Sequence, residues 1–199
     1  MRWQTAHGCR SGLLLRCRPV PPQPSRSVEG MTDSVADAAL VVARWLAAVF
    51  DDADLTSAWP LTDEPLRLAL AQSWVMLEGD RVDVAACNRD VLAGALAEAD
   101  QPASPFWPEF SGWRIIRWRE VLPDFVTDAG IRGTVTGEHP EAPDLEAVWI
   151  AHVDTPVIEG EPIVVQRFLV RQTGSAWRVA GIGGVLPVPG WPPTETPRL

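Results

Sequence analysis

Few residues in this chain combine the type and the spacing that chemistry needs. His152 and Asp154 stand two apart in a segment that alternates like a strand. They would share a face and have the reach of a general acid–base pair. The apolar pattern assigns them to the outer face. Trp149 and Val153 match Val164, Phe168, Trp177 and Val179 on the following segments, whereas the His152 face carries Glu146 and corresponds to Arg167, Arg171 and Arg178. On this reading the face is open to solvent or to a dimer partner, and His152 is a solvated or interfacial histidine. Gln166 is the converse case. It alternates with Val164 and Phe168 and so points its amide into apolar surroundings. An unpaired buried amide costs about 1–3 kcal/mol. Gln166 therefore either bonds a structural neighbour or orients a ligand in a pocket.

A second candidate is aromatic. Trp113 and Trp118, with Trp107, Phe106 and Phe110, could line an aromatic pocket or could be core and lid. Arg114, Arg117 and Arg119 are interleaved with these tryptophans, a mixture that can bind single-stranded nucleic acid. Ion pairing with the many acids of the chain is the reading that fits its charge. Glu138-His139-Pro140 lies in a polar, proline-rich stretch and reads as exposed. The histidines and the single cysteine beyond residue 30 do not make a zinc set without carboxylates at unsupported spacings. Gly181-Ile182-Gly183-Gly184 follows a strand, but a dinucleotide loop must open a helix, and here Pro187 and Pro189 follow. There is no nucleophile-elbow serine motif and no phosphate-binding Walker loop. No catalytic residue is assigned. Gln166, Trp113 and Trp118 are the candidate ligand-lining residues, with no metal and no cofactor.

Composition bounds the partners. The chain has 199 residues, enough for one good core. All 17 basic residues are arginine, there is no tyrosine, and there are 10 tryptophans. The net charge is −9; removing the five arginines and one glutamate of residues 1–30 leaves −13. A surface that acidic repels phosphate backbones, so nucleic acid is an unexpected partner. Cys9, Cys17 and Cys87 make no disulfide framework, which fits a reducing, cytoplasmic compartment. No stretch approaches the ~20 apolar residues of a membrane span.

The elements that must position these residues change character along the chain. Residues 1–30 lack apolar periodicity and end in a Pro/Ser run; they are an over-called start or a disordered basic extension. Three helices follow, over about 33–51, 62–78 and 83–99. Their apolar stripes are Val35, Ala39, Val42, Leu46 and Val49, then Leu66, Leu70, Trp74 and Leu77, then Val84, Cys87, Val91 and Ala95. Residues 101–112 read as a Pro/aromatic linker. Residues 113–122 fit either helix or strand, because Ile115-Ile116 breaks both periods. Period-two strands follow over 146–154, 162–171 and 176–182, the last two joined as a hairpin. The domain runs over 31–186, and 187–199 is a proline-rich tail expected to be disordered.

Two segments carry a family resemblance: ARWLAAVFDDADLTSAWPLTDEPLRLALAQSW, ending at Trp74, and EPIVVQRFLVRQTGSAWRVAGIGG, ending at Gly184. A helix, an Ala-Trp loop and a second helix, then a closing strand–turn–strand with a buried tryptophan, resemble the layout of the nuclear transport factor 2-like superfamily. The resemblance implies an α+β cone with three N-terminal helices packed on a curved, mainly antiparallel sheet. It also implies a pocket for a hydrophobic small molecule and often a homodimer. It implies no activity, since that superfamily holds enzymes, binders and interaction modules. The catalytic tyrosine of its steroid isomerases has no counterpart in a chain without tyrosine.

Overall fold

In the first helix, Ala38, Val42, Trp45 and Val49 recur at helical spacing, and each is fully buried. This helix, α1 (Thr32–Leu46), widens into a π turn over Ala47–Asp51 that keeps Val49 and Phe50 inside. Ala53, at φ 53°, reverses the chain. Asp54 then caps a one-turn helix, α2 (Leu55–Ala58), its carboxylate accepting from the Thr56 amide at 2.9 Å. The computed structural model describes residues 32–100, 102–122, 131–138, 144–152, 165–183 and 185–195. Residues 1–30, His139, Asp154 and Val164 lie outside them.

After a 3₁₀ turn at Trp59–Leu61, α3 (Glu64–Leu77) starts with Pro65 in its first turn. Leu66 and Trp74 of its expected stripe are buried, but Leu77 is 61% exposed. The third expected helix is two. A single turn, α4 (Val82–Ala85), ends before Asn88, whose side chain accepts from the amides of Asp90 and Val91 and so opens α5 (Arg89–Ala97). An asparagine that caps competes with helix continuation, and the chain breaks there. The buried face of α5 is Leu92, Ala93 and Leu96; Val91 is 70% exposed. The aromatic stretch is also helical. The span read as a linker and the ambiguous span form one helix, α6 (Trp107–Val121), with Pro108 in its first turn. Phe110, Ile115 and Trp118 face inward, while Ile116 is 59% exposed, so the Ile-Ile pair straddles the boundary.

The strands β1 (Ile131–Glu138), β2 (Leu145–His152), β3 (Val165–Thr173) and β4 (Ala176–Ile182) form one antiparallel sheet in that order. β1 has no counterpart among the expectations, because its run IRGTVTGE lacks sustained apolar alternation. Gly174, at φ 64°, turns the β3–β4 hairpin. The fold is thus mixed α+β, as expected, with six α-helices among the described residues in place of three.

The face assignment of β2 reverses. Val148 pairs with Phe168, and both are fully buried in the same core as Val170 and Val179. Trp149 pairs with Arg167 on the opposite side, where the guanidinium lies 5.1 Å from its ring. The single Val148 outweighs the Trp149 signal because an indole can be covered by an arginine stem and head instead of a core. That opposite side is not simply open. Leu145, Ala147 and Leu169 on it are buried, and an added Cβ at Gly181 would meet the Val185 carbonyl oxygen at 2.3 Å. For β3 and β4 the expectation holds. Phe168 is in the core and Trp177 is packed against it, a bulge between Leu169 and Val170 keeping the parity.

The proline-rich segment corrects another expectation. Over 187–195 it is folded: β5 (Pro187–Val188) pairs with β6 (Thr194–Glu195), and Trp191 between them packs against the core. Because Trp45 has 0% exposure and Trp177 is only half-buried, Trp45→Ala should cost about 3–5 kcal/mol and Trp177→Ala distinctly less. Parallel urea titrations measure both; equal costs would show that the last strand is as deeply packed as α1.

Candidate functional site

The helical half contains an open cleft of about 400 Å³. It forms where α3 ends. Gly79 follows the helix where an added Cβ would crowd the Val75 and Met76 carbonyls, and Arg81 binds Glu78, Asp83 and Glu109 in one partly exposed cluster. The chain then turns through α4 into α5. The far end of α5 is fixed, since the Trp59 indole donates to the Leu96 carbonyl at 3.0 Å and the Arg67 Nε to the Ala97 carbonyl at 2.7 Å. At the near end, the turn through α4 borders the cleft.

Its walls are apolar: Val75 and Met76 from α3, and Val84 and Ala85 from α4. The last wall comes from the C-terminal segment. The buried Gln72 side chain accepts from the Gly190 amide at 2.8 Å, which sets Trp191 at the mouth. The Trp191 indole donates to Asp90 at 2.7 Å, and the Arg89 guanidinium lies 4.7 Å from its ring. Cys87 also lines the cleft as an exposed free thiol directed at the Asp83 carbonyl, 3.4 Å away. The cleft offers apolar surface, one indole and one cation, which is binding chemistry. Its volume is within the range of small-ligand sites, about 300–1,000 Å³.

The residues anticipated from the sequence lie elsewhere. Trp118 is buried edge-on against Trp45, centroids 4.7 Å apart, and Trp45 meets Phe168 at 5.9 Å. This row fills the helix-facing side of the sheet. Trp113 is partly buried against the same core. Gln166 is half-buried, and its amide donates to the Arg167 carbonyl at 3.3 Å, an acceptor that the Gly183 amide also uses at 2.8 Å. Gln166, Trp113 and Trp118 are not among the residues lining the cleft. His152 pairs with Ile131 across the sheet. Among the described residues, no three His, Cys, Asp or Glu side chains group as metal ligands would. No described helix is long and apolar enough to cross a membrane. Val75, Met76 and Val84 belong to helix patterns visible in the sequence, but their meeting with Trp191 carries no local signal.

Arg114 is the electrostatic anomaly. Its guanidinium lies 4.5 Å from the Trp113 ring and 5.4 Å from the Trp118 ring, and its buried Nε has no hydrogen-bond partner among the described residues. Burial, with Arg117 nearby, pushes its pKa down to about 10. The folded state therefore disfavours the charged form, and the cost is fully present at neutral pH, below the folded pKa. Arg114→Met, which keeps the stem, should raise stability by about 1 kcal/mol or more; a loss in the same urea titration would mean that the two indoles outweigh the desolvation. Gln166→Leu should cost under about 1 kcal/mol, because the shared carbonyl keeps its second donor; a larger cost would give the amide a structural role that one long bond does not explain. No family model, curated protein or solved structure matches this chain.

Proposed function

We propose that this chain is a non-catalytic domain that binds a small hydrophobic molecule, with the nuclear transport factor 2-like cone as its scaffold. On this reading the ligand occupies the cleft between α3, α4 and Trp191. The observation that carries the proposal is the contrast between two surfaces. Among the described residues, the helix-facing side of the sheet, where such a cone would hold its ligand, is filled by Trp45, Trp118 and Phe168. The cleft has apolar walls and about 400 Å³ of space. Asp90, an acid at the mouth, is engaged by the Trp191 indole, which favours binding over acid–base turnover.

A second reading, a protein-interaction module, draws on the exposed apolar side chains around the cleft: Met76 at 50%, Val82 at 87% and Val91 at 70%. A homodimer through the sheet has weaker support, because Leu145, Ala147 and Leu169 are already covered within one chain.

Met76 allows a direct test, since the chain has only three methionines. In protein labelled with 13C at the methionine methyls, titration with 1-octanol should move the Met76 resonance, assigned by Met76→Leu. Ala85→Trp, which adds bulk at an exposed position of the wall, should abolish the movement. A Met76 signal that stays fixed in both proteins would sink the small-molecule reading and leave the interaction module.

A further inference from the structure

Arg89 differs from Arg81, Arg67 and Arg171, whose donors are taken up by oxygen acceptors. Arg81 is taken up by three carboxylates, Arg67 by two main-chain carbonyls, and Arg171 by Asp63 and Asp144. Arg89 is exposed, lines the cleft, and has the Trp191 ring as its contact among the described residues. A guanidinium that approaches an indole face keeps its N–H donors for something else, because the attraction is to the π cloud and consumes no donor. Asp90, the nearest acid along the chain, has one oxygen committed to the indole Nε1. The indole thus holds both: it offers its face to Arg89 and its N–H to Asp90.

A lone, planar, double-donor cation at the mouth of an apolar cleft selects by charge and by shape. It favours an acceptor with two oxygens in one plane, and a carboxylate is that acceptor. A neutral or cationic apolar molecule gains only the walls. We infer that the ligand is a small apolar carboxylate, its hydrocarbon or aromatic body against Val75, Met76, Val84 and Ala85 and its carboxylate on Arg89. This assignment rests on the cleft being the binding site. It adds two things: the charge of the ligand, and Arg89 as the residue that determines specificity. The surrounding chain is acidic, with a net charge of −9 overall. Long-range attraction therefore works against an anion, and its selection falls to the short-range fork at Arg89.

The experiment uses the full chain and two probes of equal length, octanoate and 1-octanol, each titrated against the Met76 methyl signal in the parent and in Arg89→Met. Octanoate should bind the parent at least about tenfold more tightly than 1-octanol, as a charge-assisted hydrogen bond implies. Arg89→Met should remove the advantage of octanoate, so that octanoate and 1-octanol bind that variant equally. Arg89→Gln, which keeps polarity and removes charge, guards against a folding defect and should behave the same way. If 1-octanol shifts Met76 but octanoate binds no better, or if octanoate is indifferent to both substitutions, the carboxylate assignment is overturned while the cleft reading stands. Tighter binding of octyltrimethylammonium than of octanoate overturns it too. If neither probe moves Met76, the cleft reading and the assignment fail together.

Discussion

The junction at Thr62–Asp63 is the point on which the helical layer and the sheet depend together. The Asp63 amide donates to the Val179 carbonyl at 2.8 Å, so the chain entering α3 extends the edge of β4 by one bridge. The Thr62 hydroxyl, with 0% residue exposure, accepts from the Trp45 indole at 3.0 Å and donates to the Ala58 carbonyl at 2.9 Å. The Asp63 carboxylate receives Arg171 from β3. Arg67, one turn into α3, donates to the Thr62 carbonyl and to Ala97 at the end of α5. Burial lowers the pKa of Arg67, yet both its described bonds go to main-chain carbonyls, which satisfy donors without adding charge. Buried polar groups of this kind are costly to leave unmade. Two adjacent residues therefore fix the position of α1, α3, α5, β3 and β4, and the cleft inherits its geometry from the two helices among them that flank it.

What could be read from the sequence was what local physics dictates. The first helix with Val42, Leu46 and Val49 buried, the Thr62-to-Pro65 helix start and the β3–β4 hairpin with its glycine turn emerge near where they are expected, because each is specified by residues within one or two turns. The misreadings have a common cause. Asn88 falls inside the expected helix over 83–99, because a capping side chain and a helix-interior side chain look alike until the chain is seen to break. Residues 107–112 read as part of a linker because Pro108 and Gly112 suggest loops, although a proline in the first helical turn is compatible with a helix, and residues 113–122 fit either period because of Ile115-Ile116. Trp149 was given to the core on hydrophobicity alone, although an arginine can cover an indole as well as leucines can. The cleft was illegible for a different reason. It needs Gln72 to meet Gly190 and Asp90 to meet Trp191, contacts 118 and 101 residues apart that no window of sequence contains.

Two arginines seated on indoles show how burial alone divides cost from use. Arg114 lies against Trp113 and Trp118 with its Nε buried and unbonded among the described residues. There the ring attraction must offset desolvation, and the lowered pKa says that it does so incompletely. Arg89 meets Trp191 at nearly the same distance, 4.7 Å against 4.5 Å, but is exposed. Water solvates its free donors at little cost, and a ligand can replace that water. The same pair of residue types therefore acts as a core contact in one place and as a presented cation in the other.

The construction of the cleft has a consequence for its stability. Val75, Met76, Val84 and Ala85 belong to α3 and α4, and α3 is anchored at its start by the Thr62–Asp63 junction. Trp191 belongs to a short two-stranded unit of Pro187–Val188 and Thr194–Glu195, which the Gln72 and Asp90 hydrogen bonds and the Arg89 contact tie to the helices. Closing a chain segment of that length onto the helices costs entropy that a few polar contacts and one half-buried ring must offset. Local stability is lowest where buried apolar contact is least, so this wall should open more readily than the α3 wall. A molecule that bridges Arg89 and the α3 wall would bind the closed form preferentially and hold Trp191 in place by mass action. On the proposed reading, the segment that completes the cleft is thus also the one whose order a ligand would control.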